Sequence, residues 1–265
     1  MKAEIIVLGS GTSMGVPTLG CRCAVCTSAD PRNRRTRPSI AIRWNGAGRE
    51  SLVLIDTGPD FRQQALREGI HHVDAVFYTH AHADHILGLD DLRPLSFQHK
   101  PNLMPLFADE QTAQILRRIY DYTFSVDSTY PNRARVELHR LEGQQTVAVD
   151  GATFQRVPLL HGDLEVAGFR FGSAAYLTDM SAIPEASLPL LEGLDVMIVD
   201  ALRPQPHPSH ANIAESLRWV ERVQPRQAWF THMSHEVDHE ETEKDFPDNV
   251  RLAYDGLRIS FELPR

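Results

Sequence analysis

A chain of 265 residues, 42% hydrophobic and 23% charged, has room for a sizeable core and the composition of an ordinary globular protein. Its formal net charge of −8 sets aside a binder that works through a general basic field, so nucleic acid is not the expected partner. The apolar run in "MKAEIIVLGSG" is too short for a signal peptide or a membrane span, which makes the cytoplasm the expected location and a membrane partner unexpected.

In chain order, "EIIVLGSG" reads as a buried strand closed by a glycine turn, and "SIAIRW" alternates as a strand does. "SLVLIDTG" is a further buried strand ending at Asp56. "PDFRQQALREG" predicts a helix with proline near its start and Gly69 at its end. "VDAVFYTHAHADH" is a strand running into histidines, and 109–122 predicts a helix that opens on acids. Strands are expected near 145–149, 152–157, 166–171 and 174–178. "LDVMIVDAL" is another, ending at Asp200; "ANIAESLRWVERV" is an amphipathic helix, and "QAWFTHMSH" a last strand. One α/β domain over 1–265 is the simplest organisation, with a segment around 119–140 expected as an inserted loop, since "DSTYPNRARVE" is polar throughout. The glycines of "GSGTSMGVP" follow G-x-G-x-x-x-G, one residue off the dinucleotide spacing. Pro17 interrupts the helix that should follow, and the Lys-Ser/Thr ending of a P-loop is missing, so the segment is read as a turn.

The histidines of "THAHADH" carry the chemistry. Alternate residues of an extended strand end point the same way, so His80 and His82 can grip one ion, while Asp84 and His85, just past the strand, can face a second beside it. Other ligand types stand directly after apolar runs: His161 after "FQRVPLL", Asp179 after "AAYLT", His232 after "AWFT". Asp56 is placed alike, suited either to hold a ligating histidine from behind or to cap a turn.

"HAHADH" resembles the H-x-H-x-D-H signature of the metallo-β-lactamase superfamily, and Asp56, His161, Asp179 and His232 match that superfamily's remaining motifs in order. The resemblance implies an α/β, four-layer αββα sandwich with two metal ions at one edge. It assigns His80, His82 and His161 to one ion, Asp84, His85 and His232 to the other, and Asp179 to both.

All three cysteines lie within "GCRCAVC", an odd count in one short loop that points to metal rather than to disulfides. His235, three residues past His232, completes a Cys₃His set of the structural zinc type from Cys21, Cys23, Cys26 and His235. Thiolate softness favours zinc there, whereas the histidine–carboxylate cluster suits two divalent ions, Mn²⁺ or Zn²⁺.

With its glycine-rich lead, "GSGTSMGVPTLGCRCAVC" resembles one subgroup, the phosphoribosyl 1,2-cyclic phosphate phosphodiesterases (PhnP-like) of bacterial phosphonate metabolism. The quinone-cofactor biosynthesis B proteins share a similar cysteine loop but lack the full ligand set. The subgroup implies a small cyclic phosphodiester as substrate, attack by a hydroxide bridging the two ions, and His210 of "PHPSHAN" as general acid, beside Asp84 and Asp179 in the catalytic set. The bland alternative for His210 is the start of the next helix, with Ser209 as its cap. Competing functions are a tRNA 3′-end nuclease, which shares the metal motifs but carries a long basic arm not seen here, and a thioester hydrolase or oxygenase on the same fold. His71, His72, His99, His139 and His239 have no ligand spacing and read as surface or capping residues. A homodimer is the expected symmetric assembly.

Overall fold

Ile5 and Val7 face one way along the first strand, Ile6 and Leu8 the other, and all four are buried. A strand apolar on both faces needs cover on both. The computed structural model, which describes residues 1–46 and 48–264, supplies it with two seven-stranded sheets packed face to face and helices outside each.

The first sheet holds β1 (Lys2–Gly9), β2 (Ser39–Asn45), β3 (Glu50–Ile55), β4 (Ala75–Phe77), β5 (Met104–Ala108), β6 (Val136–Arg140) and, returning beside β1, β14 (Arg258–Glu262). The second runs β7 (Thr146–Val149), β8 (Ala152–His161), β9 (Leu164–Phe171), β10 (Ala174–Leu177), β11 (Val196–Asp200), β12 (Gln227–Thr231) and β13 (Val250–Leu252). Each sheet is half antiparallel and half parallel: β3 to β6 run together, and so do β10 to β13. Between the sheets lie Val7, Ile42, Phe77, Phe154, Phe169 and Tyr176. Outside the first, α1 (Phe61–Glu68) and α4 (Glu110–Ile119) bury Phe61 and Leu116 against Leu8, Leu54 and Val76; α6 (Ile213–Val223) covers the second with Val220.

Among the described residues the remaining α-helices are single turns: α2 (Ala83–Ile86), α3 (Arg93–Ser96), α5 (Asp121–Phe124) and α7 (His239–Glu243). Within 119–140, α5 and β6 occupy the two ends, and β6 is an edge strand paired parallel with β5, leaving 125–135 between them. No helix among the described residues is long and apolar enough to cross a membrane.

Parallel strands bring their C-terminal ends to one edge. Asp56 follows β3, His80 to His85 follow β4, Asp179 follows β10, Asp200 ends β11 and His232 follows β12. A backbone bond from Ala167 to the Thr79 carbonyl, 2.9 Å, joins the two sheets there.

Candidate metal centre

Asp56 lies at the bottom of this edge, fully buried. Its carboxylate is spent locally: the Thr79 N–H donates to Oδ1 at 2.8 Å, the Thr79 hydroxyl to Oδ2 at 2.9 Å, and His85 Nδ1 stands 2.7 Å from Oδ2. That contact assigns the His85 proton to Nδ1 and leaves Nε2 as the free ligand atom. The turn holding Asp84 and His85 lies close against the chain after β3, with the Thr57 N–H donating to the His85 carbonyl at 2.8 Å. Only glycine fits at position 58, because a Cβ there would meet the Asp84 carbonyl at 2.0 Å.

Every residue that the sequence assigns to the two-ion cluster arrives here. His80, His82, His161 and Asp179 place ligand atoms within 4.8 Å of one another; Asp84, His85, Asp179 and His232 form a second such group, and Asp179 belongs to both. Asp179 Oδ2 is 3.1 Å from His85 Nε2, and its Oδ1 is 3.1 Å from His232 Nε2 and 3.9 Å from His80 Nε2. Asp84 Oδ2 is 3.4 Å from His85 Nε2 and 3.6 Å from His232 Nε2. Donors on a tetrahedral ion with bonds of 2.0–2.1 Å stand about 3.3 Å apart, inside that spread. Asp179 and His232 also hold left-handed backbone, φ 53° and 61°, as does Asp56 at φ 65°, a conformation uncommon for residues with a side chain.

The electrostatics favour cations. His80 Nε2, His85 Nε2 and both ring nitrogens of His232 are buried without a hydrogen bond. Burial alone would lower the buried rings, and it holds His80 well below the ordinary histidine value. Around His85 the carboxylates of Asp179, Asp84 and Asp56 outweigh burial and hold the ring well above that value; Asp179 lifts His232 to about 10 against the same burial. Burial likewise opposes ionisation of Asp84 and Asp179, yet the facing imidazoles hold both carboxyls below their ordinary range. Anions packed this closely, beside orphaned ring nitrogens, fit divalent metal ions, and loading them means displacing ring protons.

His210 adjoins this group. Its Nδ1 is 2.7 Å from Asp200 Oδ2, and its ring stacks on His232 at 4.7 Å and meets His161 edge-on at 4.5 Å. The helix-start alternative is set aside, because α6 is capped by Asn212, whose side chain accepts the Glu215 N–H in a reciprocal box. His207, half-buried, lies 5.1 Å from His210. The sequence reading missed Asp200 and Thr79. The signal for Asp200 was there: it closes an apolar strand as Asp56 does. Nothing local marks Thr79.

The cysteine loop closes on the same wall. Cys21, Cys23 and Cys26 place Sγ at 3.2, 3.5 and 3.6 Å from His235 Nδ1. A tetrahedral zinc with its usual bond lengths separates nitrogen and sulfur by about 3.6 Å. The Cys26 backbone N–H donating to Cys23 brings that thiol down to about 6, while burial pushes Cys26 up to about 11. Met233 N–H donates to the Ser10 carbonyl at 3.0 Å beside it. The buried guanidinium of Arg35 donates to the carbonyls of Ser234 (3.1 Å) and Val237 (2.8 Å), so the loop after β1 is tied to the His232 loop three ways.

Residues 52–233 match the family model described as the Beta-lactamase superfamily domain. The chain belongs to the β-lactamase superfamily. Among superfamily members of known structure, a diphosphatase from the PhnP family is 50% identical, with 99% of this chain and 98% of that one aligned at a TM-score of 0.92. Zn²⁺-bound PqqB from Methylobacterium extorquens shares the superfamily fold at 20% identity, TM-score 0.75, over 97% of this chain and 99% of that one. A protein of Porphyromonas gingivalis named octanoyltransferase is 35% identical over 95% of this chain, which spans half the length of that relative.

Proposed function

We propose that this superfamily member is a metal-dependent hydrolase of small phosphoric esters in which the phosphorus under attack carries one negative charge. Phosphodiesters, including cyclic ones such as phosphoribosyl 1,2-cyclic phosphate, meet that description, and so do diphosphate diesters. The diphosphatase relative at 50% identity supports the wider class. The carrying observation is the pair of ligand groups sharing Asp179, with His210 held against them by Asp200.

His80, His82 and His161 would hold one divalent ion, Mn²⁺ or Zn²⁺, and Asp84, His85 and His232 the other, with Asp179 between; Cys21, Cys23, Cys26 and His235 would hold a structural Zn²⁺. Bound there, a pair of divalent ions supplies a nucleophile from water at neutral pH and stabilises charge on the phosphoryl group. The protein's own residues do the rest. Asp56 and Thr79 fix the His85 ring. The Ser209 carbonyl, 2.7 Å from His161 Nδ1, fixes His161 and so ties the His210 segment to the metal ligands. Asp200 accepts the Nδ1 proton of His210 and leaves its Nε2 to protonate the departing oxygen, the step an alkoxide leaving group needs most. Acyl transfer finds no support: the octanoyltransferase name belongs to a chain of which the match covers half, and all three thiols face His235.

The test is hydrolysis of ribose 1,2-cyclic phosphate, bis(p-nitrophenyl) phosphate and ADP-ribose by manganese-loaded protein. Turnover of one or more is expected. Silence on all three with metals shown to be bound would refute the reaction class.

A further inference from the structure

At the opposite edge of the first sheet from the metal centre, a groove of about 440 Å³ runs between residues 97–103 and 123–136. Its position follows from the topology. Leu103 stands just before β5 and Arg135 just before β6, whereas Asp84 and His85 follow β4, parallel to both. The five residues of β5, at about 3.3 Å each, put roughly 16 Å between those two edges.

Three cations line this groove, Lys100, Arg133 and Arg135, in a protein whose net charge is −8. Among the described residues none of the three forms an ion pair. Arg133 donates one bond, to the Ser125 carbonyl at 2.8 Å, and Arg135 one, to the Pro101 carbonyl at 3.1 Å, which fixes both stems and leaves donors over. Two polar atoms in the lining are buried and without a hydrogen bond: Arg135 Nε and Thr123 Oγ1, the latter on a residue only 6% exposed. Asp90, the carboxylate bonded to the neighbouring Tyr122, already accepts that hydroxyl at 2.5 Å and pairs with Arg93 at 3.4 Å. Beside the cations, Phe97 and Leu103 are exposed at 37% and 41%. Buried donors in native proteins are nearly always paired, so two orphans in a cationic groove point to an acceptor that the chain does not itself supply.

We propose that this groove is a second ligand site, separate from the metal centre, for a small phosphorylated molecule. Its phosphate lies against Lys100, Arg133 and Arg135 and accepts from the Thr123 hydroxyl; its apolar part rests on Phe97 and Leu103. A volume of about 440 Å³ falls in the range of small-molecule pockets. Guanidinium forks suit phosphate oxygens, and a planar or apolar moiety completes the match.

The probe is phenylphosphonate, which carries both features and has no ester bond to cleave. It is titrated calorimetrically into metal-loaded protein at fixed ionic strength. Wild type is expected to bind it with a component that Asp179→Ala retains. The double variant Lys100→Gln/Arg133→Gln should weaken that component at least tenfold with metal content unchanged. Thr123→Val separates ligand from fold: losing an orphaned hydroxyl should hold or raise the melting temperature of the free protein while weakening the same component. Three results would overturn the site: no binding in wild type, binding unchanged in both groove variants, or binding lost entirely in Asp179→Ala with the fold intact. A dimer that sediments stably and keeps phenylphosphonate out would also overturn it, handing the groove to a second copy of the chain.

Discussion

Replacing Asp200 by Asn removes one charge and turns an unpartnered buried oxygen into an amide nitrogen. Both bonds the Asp200 carboxylate accepts, from His210 Nδ1 at 2.7 Å and from the Met180 N–H at 3.0 Å, fall on Oδ2, while Oδ1 has no partner. An asparagine with its amide nitrogen at the Oδ1 position therefore keeps both bonds. The loss is the difference between a charge-assisted bond, about 1.5–3 kcal/mol, and a neutral one, about 0.5–1.5 kcal/mol. That is about 1–1.5 kcal/mol, or about tenfold in rate at about 1.4 kcal/mol per decade. His210→Ala should cost more, about 10²–10⁴, the usual span for general acid catalysis. The assay is kcat/KM on ribose 1,2-cyclic phosphate, whose leaving oxygen needs a proton, against bis(p-nitrophenyl) phosphate, whose leaving group does not. Both variants should lose far more on the first, and the double variant should match His210→Ala, because the two residues act as one unit. Equal losses on both substrates, or Asp200→Asn losing more than His210→Ala, would refute the reasoning.

Three further outcomes are expected. Cys23→Ser should remove one zinc per chain by elemental analysis and lower the melting temperature by several degrees, at about 2–4 °C per kcal/mol for a chain of this size, with the other metals retained; unchanged zinc content would rule out the Cys₃His site. Asp179→Ala should abolish turnover and reduce metal content at both groups it joins; a near-normal rate would remove Asp179 from the centre. Burial holds His239 down at about 4, so the folded chain resists a proton that the unfolded one takes up near pH 6.5. Stability should therefore be full above about pH 6.5 and decline as pH falls toward 4, and His239→Gln should flatten that decline; identical melting curves against pH would show that His239 does not contribute.

The histidines and aspartates of the two candidate ligand groups were readable because they follow apolar strands, and a strand end is where a side chain reaches the sheet edge. Asp200 ends such a strand too, but its role depends on His210, ten residues on, whose approach only the packing of "PHPSHAN" against β11 makes visible. Strands β5, β6, β13 and β14 escaped notice for different reasons. "MPLFA" carries a proline at its second position, "VELHR" is an edge strand rich in charge, and "VRL" is three residues long. "RISFE" alternates cleanly, yet its partner β1 lies at the other end of the chain. His239, read as a surface or capping residue, is 2% exposed, and its backbone N–H donates to Asn33 Oδ1, a contact across 206 residues that no local pattern carries.

The left-handed backbone at Asp56 and Asp179 bears on how this enzyme class decays. Each aspartate sits where glycine would relieve the backbone. An aspartate codon is a single base change from a glycine codon. Release from selection for hydrolysis should therefore favour glycine at position 179 early. A lineage that loses its chemistry this way would relieve the backbone at that position as it does so, and would keep the fold, the cysteine loop and the groove at the far edge of the first sheet for other uses.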